Sequence, residues 1–281
     1  MRSRNPLDPE QPDVVLSSPL TIAIQQRDRD TMAMVRRAVQ SKQVMLAYQP
    51  VMRAQAPDTV AFHEGLIRVV DQTGRIIPAK DFIDIVEEQE LGRIIDALAL
   101  ELGLAALEEE PSLRLAINMS ARSIGYPRWK TVLKQGLERD PTLGERLILE
   151  ITERTAITMP ELVQVFMSEM QAEGISFALD DFGAGYTAFR YLRDFYFDIL
   201  KIDGEFIRGI AGNPDNQVIA QAMLSVAQHF DMMTVAESVE TIEDAQFMAD
   251  NGCDFLQGYF FGAPTVRPWW KRDDLPHKRQ A

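Results

Sequence analysis

A series of short apolar runs in this chain is closed by residues able to bind a cation, hold a phosphate or move a proton. Glu64 lies within one such run, Asn118 follows Leu115-Ala116-Ile117, and Glu150 follows Leu147-Ile148-Leu149. Asp180-Asp181 comes after Phe177-Ala178-Leu179, Lys201 and Asp203 close the next run, Glu237 follows Val235-Ala236, and Gln257 sits in the last. A single acid at a strand end is more often a helix cap than a ligand. The recurrence of the same chemistry at most strand ends reverses that expectation. Two carboxylates about 5 Å apart repel by roughly 3 kcal/mol at an effective dielectric near 20, so a convergent set of them calls for cations. Apart from Lys201 the donors are all oxygen atoms, which favours Mg²⁺, Mn²⁺ or Ca²⁺ over zinc or copper. Adjacent Asp180 and Asp181, joined by acids from other strands, suit two ions about 4 Å apart, an arrangement that serves phosphoryl displacement.

Residues so far apart in sequence converge only if the fold gathers their strand ends. Candidate strands run over 44–52, 60–69, 113–119, 146–152, 175–181, 198–203, 232–237 and 254–261, with helical patterns between most of them. Their number matches a TIM-like (β/α)8 barrel, an α/β fold whose active sites lie on the rim at the C-terminal strand ends. An open doubly wound sheet is the alternative. We expect a single domain, with a flexible N-terminal arm over 1–25, the barrel over 26–266 and a C-terminal tail over 267–281. The first helix is expected from about Thr31 to Lys42. Asn213-Pro214 and the Thr241/Asp244 pair read as later helix starts, and Gly252 as a helix end.

Bulk properties narrow the function. The 281 residues are 46% hydrophobic and 25% charged, enough for a large core. A net charge of −13 disfavours DNA or RNA polymers and anionic membrane surfaces, so a phosphate ligand needs local cations. The lone Cys253 offers no internal disulfide and no zinc cluster, and the start of the chain lacks the apolar stretch of a signal peptide. A cytoplasmic protein without a membrane span is expected. His63, His229 and His277 show no triad spacing, Cys253 reads as a core residue, and Trp269-Trp270 as tail packing. Asp181-Phe182-Gly183 has no kinase catalytic loop beside it, which removes a kinase reading.

The motifs in order resemble the EAL domain family, phosphodiesterases that hydrolyse the bacterial second messenger cyclic di-GMP. The resemblance runs from about Leu46 to Pro264. It includes Tyr48-Gln49-Pro50, Glu64-Gly65-Leu66-Ile67-Arg68, Ile117-Asn118-Met119-Ser120 and Glu150-Ile151-Thr152-Glu153. Asp180-Asp181-Phe182-Gly183-Ala184-Gly185-Tyr186, Leu200-Lys201-Ile202-Asp203, Ala236-Glu237-Ser238-Val239-Glu240 and Gln257-Gly258-Tyr259 complete it.

The resemblance implies hydrolysis of cyclic di-GMP to linear pGpG with two Mg²⁺ or Mn²⁺ ions, inhibition by Ca²⁺, and a homodimer. By the same resemblance Glu64, Asn118, Glu150 and Asp180 hold one ion, and Asp180, Asp181 and Glu237 the second. Lys201, Glu237 and Glu64 are the implied catalytic groups. Arg68, Leu66, Gln49, Asp203, Glu240 and Gln257 are the implied substrate contacts, and Glu153 supports the loop from Asp180 to Tyr186. Four positions depart from the family: Gly65 replaces alanine, Val69 tryptophan, Ser238 glycine and Ala184 threonine. Gly65 deletes a methyl group, with an expected loss of about 0.5 to 1 kcal/mol in strand rigidity. The rival reading is a catalytically weak or inactive EAL-like receptor for cyclic di-GMP or a partner protein. A metal-dependent aldolase rests on fold analogy alone.

Overall fold

The computed structural model describes residues 19–185 and 192–271. Tyr186, His277, the first eighteen residues and the end of the tail lie outside them. Strands β1 (Val44–Arg53), β2 (Ala56–Val70), β4 (Leu115–Asn118), β5 (Leu147–Thr152), β6 (Ser176–Phe182), β7 (Ile199–Ile202), β8 (Met233–Ala236) and β9 (Phe255–Leu256) form a ring. It closes because β1 pairs with both β9 and β2. A short β3 (Ile76–Pro78) pairs with the end of β2. Helices flank the ring: α1 (Pro19–Gln40), α2 (Ile83–Val86), α3 (Glu90–Glu109), α4 (Pro127–Arg139), α5 (Glu153–Thr158), α6 (Pro160–Gln171), α7 (Gly204–Ile207), α8 (Pro214–His229) and α9 (Ile242–Asp250). The fold is the expected TIM-like barrel.

Three expectations need correction. The ring is not uniformly parallel: β1 runs against both of its neighbours. Only Ala54 and Gln55 separate β1 from β2, which leaves room for a hairpin but not for the crossover that a parallel pair needs. Helix α1 starts at Pro19, inside the segment expected as an arm. Its first turns leave Leu20, Ile22 and Ile24 exposed, so they carry no burial pattern for a sequence reading to detect. The last strand ends at Leu256 rather than Phe261, because the chain turns at Gly258 against the backbone of Val239.

The barrel interior follows the two-residue period of strands. An apolar layer is formed by Val51, Phe62, Ala116, Ile148, Ala178, Ile199, Val235 and Phe255. Two residues further along each parallel strand comes a functional residue: Glu64 after Phe62, Asn118 after Ala116, Glu150 after Ile148, Asp180 after Ala178, and Lys201 after Ile199. Glu237 after Val235 and Gln257 after Phe255 continue the rule. On the reversed β1 the order inverts, and Gln49 precedes Val51. The apolar layer is thus the floor under a polar mouth.

Outside the ring, Gly65 and Gly103 receive the same side chain. A Cβ on Gly65 would lie 2.7 Å from Cδ1 of Ile117, and one on Gly103 would lie 2.9 Å from it. The methyl absent at position 65 is therefore replaced by Ile117 packing, and the expected loss of rigidity is offset by contact. Gly65→Ala should destabilise the protein by about 1 kcal/mol through overpacking, and the double variant with Ile117→Val should recover most of it. Thermal melts of the four proteins test this cycle.

Beyond β9, Thr265 exchanges backbone hydrogen bonds with Tyr48. Trp270 packs edge-on against Tyr48 and His63, with centroids 4.9 and 5.2 Å apart, as tail packing requires. Cys253 is buried in the core. Burial pulls the His63 imidazole down to about 4. The unfolded chain then takes up a proton below about 6.5 while the folded chain does not. Stability is complete above that pH and falls by on the order of 2 kcal/mol as the pH drops toward 4. The melting temperature lost between pH 7.5 and pH 5 should shrink in His63→Phe.

Candidate active site

The inward polar layer converges on one lysine. Lys201 Nζ, on β7, lies 2.7 Å from Glu237 Oε1, 2.8 Å from Asp180 Oδ1, 3.2 Å from Glu150 Oε2 and 3.7 Å from Glu64 Oε2. Its side chain is 1% exposed. Burial works against the ammonium, yet Asp180, Glu150, Glu237 and Glu64 outweigh it and hold the amine well above its ordinary range. The lysine is the internal counter-charge of the ring.

The acids differ in how well they are satisfied. Glu64 Oε1 accepts from Asn118 Nδ2 at 2.8 Å, and its Oε2 from Gln257 Nε2 at 2.6 Å. Burial alone would raise the Glu64 carboxyl, but Lys201 and then these two amides bring it below its usual value. Glu150 is more isolated. Burial, then the charge of Glu64, pushes it well above the carboxylate range, and its buried Oε1 has no hydrogen-bond partner. Burial also raises Glu237 to about 8, against the pull of Lys201.

Asp180 and Asp181 face the mouth together only because the backbone bends. Strict alternation would turn Asp181 to the outside of β6, but its φ of 55° lies in the left-handed region, and the β6–β7 register slips between Leu179 and Phe182. Oxygen atoms of Asp180, Asp181 and Glu237 come within 4.8 Å of one another. Asp181 is exposed at the lip, where partial burial and the charge of Asp180 raise it to about 6. Such a costly local conformation points to a function for the pair. Clustered oxygens, a buried acceptor atom left open on Glu150 and an all-oxygen donor set fit hard divalent cations. The neighbouring loop is tied down by Glu153 Oε2, which accepts from the Gly183 amide at 3.2 Å.

Other expected residues have separate partners. Gln49 and Gln257 are buried: Gln257 Nε2 donates to Gln49 Oε1 at 3.3 Å, and Gln49 Nε2 to the Gly262 carbonyl at 3.1 Å. Leu66 lines a cavity of about 570 Å³ over the ring, together with Glu64, Asn118, Asp180 and Asp181. Arg68 is half-buried and donates to the Ile67 carbonyl at 3.0 Å. Asp203 caps α7 by accepting from the Glu205 amide at 2.6 Å, and Glu240 is exposed beside Arg208. Neither of these two joins the carboxylate ring.

The sequence reading overlooked Asp96 and Lys80, which line the same cavity. Asp96 accepts from the Ser120 amide at 3.0 Å and from Ser123 Oγ at 2.6 Å, fixing the turn that follows Asn118. Burial raises its carboxyl to about 6. The available signal was an acid set between Ile95 and Ala97 in an otherwise apolar helix face. Lys80 carried no signal beyond its charge.

Residues 32–264 match the family model of the EAL domain. The cyclic di-GMP phosphodiesterase PdeF of Escherichia coli (strain K12) is 31% identical over 248 residues, covering 86% of this chain and 33% of PdeF. The probable cyclic di-GMP phosphodiesterase PdeN of the same organism is 32% identical over 249 residues, 85% of this chain and 48% of PdeN. This chain thus spans about a third to a half of the length of these relatives. The solved structure of the PaMucR phosphodiesterase in complex with c-di-GMP matches with a TM-score of 0.73 at 27% identity, covering 84% of this chain and 97% of that one.

Proposed function

The chain belongs to the EAL domain family, and from that membership and the geometry of the mouth we propose that it hydrolyses cyclic di-GMP to linear pGpG. The observation that carries the reading is buried Lys201 within 4 Å of four carboxylates, two of which, Glu64 and Asp180, line the cavity. Glu64, Asn118, Glu150 and Asp180 would hold one Mg²⁺ or Mn²⁺ ion, and Asp180, Asp181 and Glu237 a second. Such ions, when bound, lower the pKa of water and neutralise phosphate charge.

The chain's own groups supply the rest. Glu237 Oε1, 2.7 Å from Lys201 Nζ, is placed to accept a proton from the attacking water. Lys201 places its ammonium where negative charge grows on the phosphoryl oxygens. Arg68 offers a planar fork to a phosphate, and Leu66 gives the nucleotide an apolar wall. Gln257 and Asn118 orient Glu64, with Gln49 behind Gln257, so these amides act on the acid before they act on substrate. Asp203 and Glu240 shape the rim through α7 and Arg208. Glu153 steadies the loop after Asp181.

We place the active form as a cytoplasmic homodimer. Exposed Leu162 and Val165 on α6, a helix whose Gln164 and Gln171 bond the carbonyls of Asp194 and exposed Tyr196, support a partner surface. Among the described residues no helix is long and apolar enough to cross a membrane.

Chromatography of products from purified protein and cyclic di-GMP, with Mg²⁺, Mn²⁺, Ca²⁺ or chelator, tests the reading. Linear pGpG is expected with Mg²⁺ or Mn²⁺ only. Intact nucleotide with either metal, beside an active relative that cleaves it, would sink the proposal. Tight binding without product, unchanged by Glu64→Ala, would identify a receptor instead. Saturating metal at about 100 times its dissociation constant should also stabilise the fold by about 2.7 kcal/mol, read as a higher melting temperature.

A further inference from the structure

The segment that carries Glu237 is gripped from two sides. Ser238 follows it with a φ of 55°, a left-handed conformation rare for a residue with a side chain. On one side stands Gly204, at the start of α7. A Cβ there would lie 2.3 Å from Ser238 Oγ and 2.6 Å from Ser238 Cβ, so only glycine at 204 leaves space for the hydroxymethyl group. On the other side a Cβ on Gly258 would lie 2.0 Å from the Val239 carbonyl oxygen. Backbone bonds add to the grip, since the Val239 amide donates to the Gln257 carbonyl at 2.9 Å.

One side chain reaches across this arrangement. Arg208, just past α7, donates from Nη2 to Ser238 Oγ at 3.2 Å, and its Nε lies 3.7 Å from Glu240 Oε1. A guanidinium can serve both acceptors at once because its donors form a rigid fork. We propose that Arg208 is a positioning residue, which binds the Ser238 hydroxyl and the Glu240 carboxylate and so fixes the Glu237–Glu240 segment with Glu237 aimed at Lys201. The serine that departs from the family's glycine is then half of a clasp. Gly204 is the gap that admits it. Arg208 itself, more than half exposed, touches none of the ring carboxylates.

The inference rests on the phosphodiesterase reading for its kinetic test but not for its binding test. Arg208→Ala, Ser238→Ala and the double variant form a cycle in which Ser238→Ala keeps the Cβ and loses only the hydroxyl. Each single change should lower kcat about 3- to 10-fold with KM within twofold. The double should fall no further than Arg208→Ala. Mn²⁺ affinity, measured by calorimetry without nucleotide, should weaken in each single variant and no further in the double. Melting temperatures should stay within about 2 °C of the parent. Independent, multiplying losses would overturn the proposal, as would a raised KM at constant kcat, which would make Arg208 a substrate contact. If the parent binds Mn²⁺ but cleaves nothing, the phosphodiesterase reading alone fails, and the Mn²⁺ cycle still decides the clasp. A parent that neither cleaves nor binds Mn²⁺ overturns both.

Discussion

Lys201→Met is expected to abolish measurable hydrolysis, lowering kcat by about 10²- to 10³-fold or more, and to destabilise the metal-free protein by about 3 to 5 kcal/mol. The size of both effects follows from the isolation of this cation. Four carboxylates stand within 4 Å of its Nζ, and the side chain is almost wholly removed from water. Methionine fills the volume and leaves those charges facing one another. At pH 8 with chelator present, the melting temperature should fall by on the order of 10 °C. The deficit should narrow as the pH drops, since Glu237 and Glu150, already displaced upward, take up protons first and relieve the repulsion. Added Mn²⁺ should restore part of the stability but not the activity. An unchanged melting temperature in chelator would show that the lysine is not the counter-charge of the ring.

Glu64→Gln should cost activity and metal affinity far more than metal-free stability. The substitution keeps the shape of the side chain and removes one charge from a site that already holds more acids than cations. Hydrolysis should fall by about 10³-fold, because an amide is a poor ligand for a hard cation and because one of the two donors, Asn118 or Gln257, would face an NH₂ group in place of a carboxylate oxygen. Mn²⁺ affinity should weaken about 10- to 100-fold. In chelator the melting temperature should fall by a few degrees, since Lys201, Gln257 and Asn118 hold the Glu64 carboxylate below its usual range and the amide loses part of that stabilisation. Calorimetry, product analysis and thermal melts on one preparation separate these effects. Retained metal affinity together with retained turnover would remove Glu64 from the ligand set.

Most of the site was legible because strand periodicity is strict. Glu64, Asn118, Glu150, Asp180, Lys201, Glu237 and Gln257 each sit two positions after an apolar residue of the barrel floor, so Ile148 points to Glu150 and Ile199 to Lys201 without knowledge of any contact, whereas Asp181 reaches the mouth only through its left-handed backbone. The sequence concealed what depends on direction and on partners. Val44–Arg53 reads as a strand in either direction, and only the two-residue turn at Ala54-Gln55 makes it antiparallel. Asp203 and Glu240 look like site acids in the motif, yet a helix amide and Arg208 claim them. Gly65 looked like a missing methyl because the Cδ1 of Ile117, which takes its place, is distant in sequence. Asp96 reaches Ser120 and Ser123 from a helix, where the two-residue rule has no force.

The reversed β1 leaves the ring with a seam. Between β1 and β9 only Met52↔Leu256 and Arg53↔Phe255 are paired, whereas β1 and β2 run together along their whole length. Above the seam the join is made by side chains, with Gln257 bonded to Gln49 across 208 residues of chain and to Glu64 across 193. Closing a loop of that length costs conformational entropy before its contacts repay it. The seam is the most sparsely paired join of the cylinder to β1, and its latch is an amide bonded to the site's own Glu64. Amide hydrogen exchange at Phe255 and Leu256 should thus report on the state of the mouth, slowing whenever a ligand holds Glu64 in place.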